Sequence, residues 1–216
     1  MSDYKVSDQL TLLGGFHHGV HQFENNNGEM NVQAGASWTS QSGQVSLAYA
    51  FDFGRNDFLP AAFHLEDEYL HSLVLKVQAT ERMLYVIQND YGYANAAAGF
   101  EDADWYSINQ HLLYTLNEKW AAGMRVEWFR DDDGTRVLGL GNLADARGWN
   151  GAPGFNGSFT ALTVGLNWKP KANILVRPEA RWDWYNGSTN ATGDMPFDDG
   201  NSSSQCTLAT DVVIMF

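Results

Sequence analysis

Arg177, Glu179, Arg181 and Asp183 alternate in sign at a spacing of two. On a β-strand residues two apart share a face, so these four form one charged ladder. Arg125 and Glu127 make a shorter ladder of the same kind. Inside a membrane such charges need either water or each other. The ladders therefore read as the wall of an aqueous pore, or as a salt-bridge network filling a narrow lumen. Together they hold three positive and three negative charges, so the wall alone would be weakly selective. The acidic segments Glu101-Asp102, Asp131–Asp133 and Asp198-Asp199 would tilt the mouth toward cations through their field.

Other chemistry-bearing residues form no convincing set. Asp131-Asp132-Asp133-Gly134 lacks the alternating acidic spacing of a calcium loop and reads as an acidic turn. Gly139-Leu140-Gly141-Asn142 has no following Lys-Ser/Thr and is not a phosphate loop. The long loop that holds it is a candidate to fold inward and narrow a channel. His17 and His18 read as strand-end or loop residues. A barrel protease would use acids and a His on its outer rim; His64 and His71 stand in plausible places, without the rest of a catalytic set. A lipase would need a Ser–His pair, and no such pair is legible. No cofactor or metal site is expected, and the single Cys206 excludes an internal disulfide and reads as a packing residue.

The 216 residues suffice for one domain, 1–216. Thirteen Lys and Arg against 26 Asp and Glu make nucleic acid an unsuitable partner. No run approaches the roughly 18 apolar residues that would suggest a spanning helix. That leaves membrane strands open, because their alternation hides from a hydropathy average. Met1-Ser2-Asp3-Tyr4-Lys5 enters strand-like sequence without a basic and then apolar leader, so a missing N-terminal part is expected.

The elements that must carry the ladders show period-two alternation, the mark of strands with two different faces. Met30, Val32, Ala34, Ala36 and Trp38 oppose Asn31, Gln33, Gly35, Ser37 and Thr39. Val45, Leu47, Tyr49, Phe51 and Phe53 oppose Gln44, Ser46, Ala48, Ala50 and Asp52. Tyr106, Ile108, Leu112, Tyr114 and Leu116 oppose Trp105, Ser107, Asn109, His111 and Thr115. Trp120, Ala122, Met124, Val126 and Trp128 lie across from Gly123, Arg125 and Glu127. Ile174, Val176, Pro178, Ala180, Trp182 and Trp184 alternate with the long ladder, and Cys206, Leu208, Thr210, Val212, Ile214 and Phe216 complete the last strand. Weaker strands fit 5–16, 69–79, 83–91 and 158–168.

Sidedness distinguishes a membrane barrel from a soluble sandwich. The polar faces mix Gly, Ala, Ser and Thr with charge, as a crowded lumen would. The apolar faces whose phase is legible carry no Asp, Glu, Lys or Arg. Trp38, Trp120, Trp128, Trp168, Trp182 and Trp184 fall near strand ends on the apolar face, where aromatic girdles meet membrane interfaces. Connections alternate between long (17–29, 54–68, 92–103, 131–157, 185–204) and short (Ser40–Gly43, Thr80–Arg82, Asn117–Lys119, Lys169–Asn173). This is the pattern of external loops and periplasmic turns. It predicts an all-β, antiparallel up-and-down barrel of ten strands with both chain ends on the periplasmic side.

From about residue 100 onward the chain resembles the OmpL-like β-barrel porins. The likeness rests on Arg125–Gly134, on Leu166-Asn167-Trp168-Lys169-Pro170 with Val176–Asp183, on Pro196–Gly200, and on the ending Asp211–Phe216. It implies a porin-type channel of the bacterial outer membrane passing small hydrophilic solutes or ions, in chains longer than this one. The surroundings would be outer-membrane lipids and lipopolysaccharide. Phe216 resembles the terminal signal read by the outer-membrane insertion machinery. A structural barrel without transport is the alternative, with a barrel enzyme behind it.

Overall fold

The computed structural model describes residues 1–18, 30–55, 67–95, 102–137 and 154–215. Eleven strands form one antiparallel sheet in sequence order: β1 (Ser2–Lys5), β2 (Leu10–His17), β3 (Asn31–Thr39), β4 (Val45–Gly54), β5 (Glu68–Thr80), β6 (Met83–Asn95), β7 (Asp102–Asn117), β8 (Trp120–Asp131), β9 (Gly157–Lys171), β10 (Ile174–Gly187) and β11 (Ser204–Ile214). Strands β5 to β11 run 11 to 16 residues, enough to cross a membrane at a tilt. Among the described residues β1 and β11 pair with each other nowhere, so the sheet has two edges.

The count exceeds ten because the segment 5–16 holds a strand and a turn. Ser7 folds the chain back, its Oγ accepting from the N–H groups of Gln9 and Leu10 at 3.2 and 3.1 Å. Two strands result where one was expected. With eleven strands β1 and β11 run in the same direction, so the ends do not both lie on the short-turn side. Met1 instead lies beside Gly15, partway up the wall.

The alternation of short and long connections holds. The tight turns Glu81-Arg82, Glu118-Lys119 and Ala172-Asn173 are two residues each. Asn117 shapes one of them, its Oδ1 accepting from Lys119 N at 2.9 Å and Trp120 N at 3.1 Å. Gly43, at φ 72°, takes the left-handed conformation in the Ser40–Gln44 turn, where a Cβ would be strained.

Register assigns every strand a face. Leu12, Ala36 and Tyr49 lie in one cross-strand row, and Trp128, Thr160 and Trp184 in another on the same side. This outer face carries the predicted apolar sets. Trp120 and Trp168 stack there at 5.5 Å with planes 13° apart, beside the short turns. Two details differ from expectation. Asp104 and Arg130 share the outer parity, at the strand ends next to long loops, where Tyr91 donates to Asp104 and Arg130 pairs with Asp132. Charge there is tolerated because the cost falls toward the interface. Leu116 sits at a register shift between Thr115 and Asn117, where the sharp turn interrupts the alternation.

Burial is inverted relative to a water-soluble protein. Among the described residues the largest fully buried side chains are Glu68, Asn31 and Asp131, all on the inner face. Leu12, Phe16, Trp38, Leu47, Phe53, Ile108, Met124, Val164 and Leu208 are exposed on the outer one. So many exposed apolar side chains on one face mark a membrane or interaction surface.

Candidate functional site

The inner wall is built by the residues that alternate with the apolar belt. Arg125, Glu127, Arg181 and Asp183 come together on it. Glu127 stands opposite Ala161, and Ala161 opposite Asp183, so a small side chain separates two carboxylates. Arg181 fills the space between them, donating Nη1 to Glu127 Oε2 at 2.5 Å and Nε to Asp183 Oδ1 at 2.8 Å. Gln205 of β11 donates to the other oxygen of Asp183 at 3.1 Å. Arg125 Nε lies 3.0 Å from Glu127 Oε2, and its Nη2 reaches Thr163 Oγ1 at 3.5 Å. Buried charge is tolerated where it is paired in this way.

The other two members of the long ladder stand lower on the wall. Arg177 faces Asp211 of β11 directly and pairs with it, donating Nε to Oδ1 at 2.8 Å. Glu179 accepts no hydrogen bond and forms no ion pair among the described residues. Phe216 lies outside the described residues, as do His64, Glu101 and the segment Gly139–Asn142. His71 is on the outer face, its Nδ1 at 3.2 Å from the Tyr69 hydroxyl and its ring among Tyr49, Tyr69 and Tyr91.

Higher on the wall is a second polar assembly that strand reading alone did not assign. His17 and Asn31 both bond the carboxylate of Asp52. Asp90 accepts from Ser107 Oγ at 2.9 Å and from Gln88 Nε2 at 2.9 Å. These acids face a cavity of 530 Å³, with their oxygens already engaged.

The base of the loop between β8 and β9 folds inward. Asp131, the last residue of β8, accepts the backbone N–H of Thr135 at 3.0 Å, Arg136 at 2.7 Å and Val137 at 2.9 Å. The acidic turn is thus a carboxylate cradled by backbone amides. Gly134, at φ 67°, turns the chain, and Gly154 returns it with an N–H bond to the Gly134 carbonyl at 2.7 Å. Arg136 crosses to β5 and donates Nη2 to Glu68 Oε1 at 2.9 Å. Its guanidinium lies 3.3 Å from the centre of the Trp105 ring. Burial pushes the Arg136 pKa down from its ordinary value, against the opposing pull of Glu68 and Asp131. Trp105 lies flat over Gly92, where a Cβ would come within 2.0 Å of the ring.

The sequence offered little signal for this assembly. The alternation leaves Glu68 at the end of the long connection 54–68, and only the register shows that Gly92 faces Trp105. Two loop acids expected to act at the mouth are engaged locally: Asp132 with Arg130, and Asp133 with the Asp104 N–H at 3.0 Å.

A family profile described as "Putative beta-barrel porin-2, OmpL-like" matches residues 1–216. The match covers the whole chain, where the motifs had carried the resemblance only from about residue 100. The crystal structure of a Pseudomonas aeruginosa FadL homologue is similar at a TM-score of 0.47 and 10% identity, covering 97% of this chain. The chain spans 63% of that protein's length. No curated protein matches the chain.

Proposed function

The chain belongs to the OmpL-like β-barrel porin family, and we propose that it forms part or all of an outer-membrane channel for passive diffusion of small hydrophilic solutes or ions. The inverted burial carries this reading: a Trp-rimmed apolar belt faces outward, and charged and amide side chains face inward. Lipid suits the first surface and water the second. In this reading Arg125, Glu127, Arg177, Glu179, Arg181 and Asp183 line the pore. Phe216 would serve as the assembly signal for the insertion machinery, within a membrane of phospholipid and lipopolysaccharide.

A structural barrel without transport is the second reading. The inward loop base, with Arg136 bonded to Glu68, favours it by placing protein within the lumen. Liposome swelling separates the two. Proteoliposomes transferred to isotonic solutions of small sugars should swell at rates that fall with solute size. Absence of swelling, with the protein shown to be inserted, would leave the structural reading in its place.

A further inference from the structure

Two charged groups of opposite sign on the inner wall line one cavity and are incompletely bonded within the wall. Arg125 Nε lies 3.0 Å from Glu127 Oε2 without an aligned hydrogen bond, and that oxygen accepts from Arg181 Nη1. Among the described residues the side-chain hydrogen bond of Arg125 is the long one from Nη2 to Thr163 Oγ1. Glu179 is exposed and accepts no hydrogen bond among the described residues. Its electrostatic neighbour Arg177 is committed to Asp211.

Glycines hold the space between them. Glu179 faces Gly165 of β9, and Gly165 faces Gly123 of β8, next but one to Arg125 on the same face. The row between the carboxylate and the guanidinium holds glycines, with the tip of Leu113 from β7 leaning over Gly123. Two strand spacings and two residues of rise separate their Cα atoms by about 12 Å. Side chains of these lengths then leave room for one small molecule between the charged ends. A cavity of 530 Å³ is lined by Arg125, Glu179, Thr163, His111, Arg177 and Asp211.

We propose that this notch is a subsite for a small zwitterion, with Arg125 and Thr163 receiving its carboxylate and Glu179 its ammonium group. A lone anion would meet the like charge of Glu179 and a lone cation that of Arg125; a solute with both charges is complementary to both. The upper cavity differs in that Asp52 and Asp90 are already bonded within the wall. The proposal names the solute class for the channel reading above and rests on it.

The test is calorimetric titration of the protein in detergent with β-alanine, acetate and ethylamine, alongside liposome swelling. β-Alanine should bind about tenfold tighter than either single ion, the effect of one charge-assisted hydrogen bond. Arg125→Gln and Glu179→Gln should each remove that advantage. Lys76→Gln, a charge change on the same face but away from the notch, should not. Glu179 has no bond to lose, so its variant should keep its β-structure by circular dichroism. Equal binding of acetate and β-alanine, or an unchanged Glu179→Gln, would overturn the subsite, as would no binding at all. Selective binding without swelling would sustain the subsite and reject the channel.

Discussion

Arg136 and Glu68 join the loop after β8 to strand β5, three strands away, through a 2.9 Å bond beneath which Trp105 lies. Glu68 is almost fully buried, at 2% exposure. Removing Arg136 takes a charged hydrogen bond from a carboxylate in a site that water reaches poorly. Arg136→Met should therefore destabilise the protein by about 3 kcal/mol in urea unfolding, the range for breaking a buried pair. It should also release the loop base and raise single-channel conductance. Unchanged stability and conductance would mean that the pair neither holds the loop nor narrows the lumen.

Trp105 supplies the second prediction. It occupies the space that only glycine leaves open at position 92. Gly92→Ala should cost about 1–3 kcal/mol, the usual penalty for overpacking, and should alter Trp fluorescence. Gly14→Ala is the control, since a Cβ there meets nothing within 4 Å. Equal effects of the two would show that Trp105 is not seated on Gly92.

Why some of this was legible in the sequence and some not follows from range. Alternation at Ile174–Trp184 named both faces of β10, because the period is local and each face sees a different solvent. The long and short connections placed the hairpins. The turn at Ser7 went unread because its signal is one hydroxyl in polar sequence. The pairing of Arg177 with Asp211 needs the register of β10 with β11, across a connection too long to fix it. Arg136 and Glu68 are 68 positions apart, one in a loop and one at a strand end, and no periodicity relates them.

A third prediction concerns ion preference. Arg177 and Arg181 face inward, paired with Asp211, Glu127 and Asp183. Neutralising both to Gln takes the arginine partner from Asp211 and Asp183 and leaves Glu127 with Arg125 alone. The reversal potential under a salt gradient should move toward cations, and more so at low salt, where screening is weak. An unchanged potential would identify the network as purely structural.

A fourth prediction uses neighbours on β11. Leu208 faces outward, and Ala209 faces inward opposite Glu179. Leu208→Arg should destabilise the protein in lipid by about 2–4 kcal/mol, the midplane cost of a guanidinium. Ala209→Arg should cost much less, because water and Glu179 meet it. The reverse order would invert the assigned faces.

The most direct measurement of the account is water access along β10. In a Cys206→Ser background, which removes the single thiol, each residue from Arg177 to Asp183 is replaced in turn by cysteine. The protein in lipid is then treated with a water-soluble, membrane-impermeant thiol reagent. Arg177→Cys, Glu179→Cys, Arg181→Cys and Asp183→Cys should react, while Pro178→Cys, Ala180→Cys and Trp182→Cys should not. Uniform labelling, or labelling of the second set alone, would contradict a barrel whose charged face encloses water.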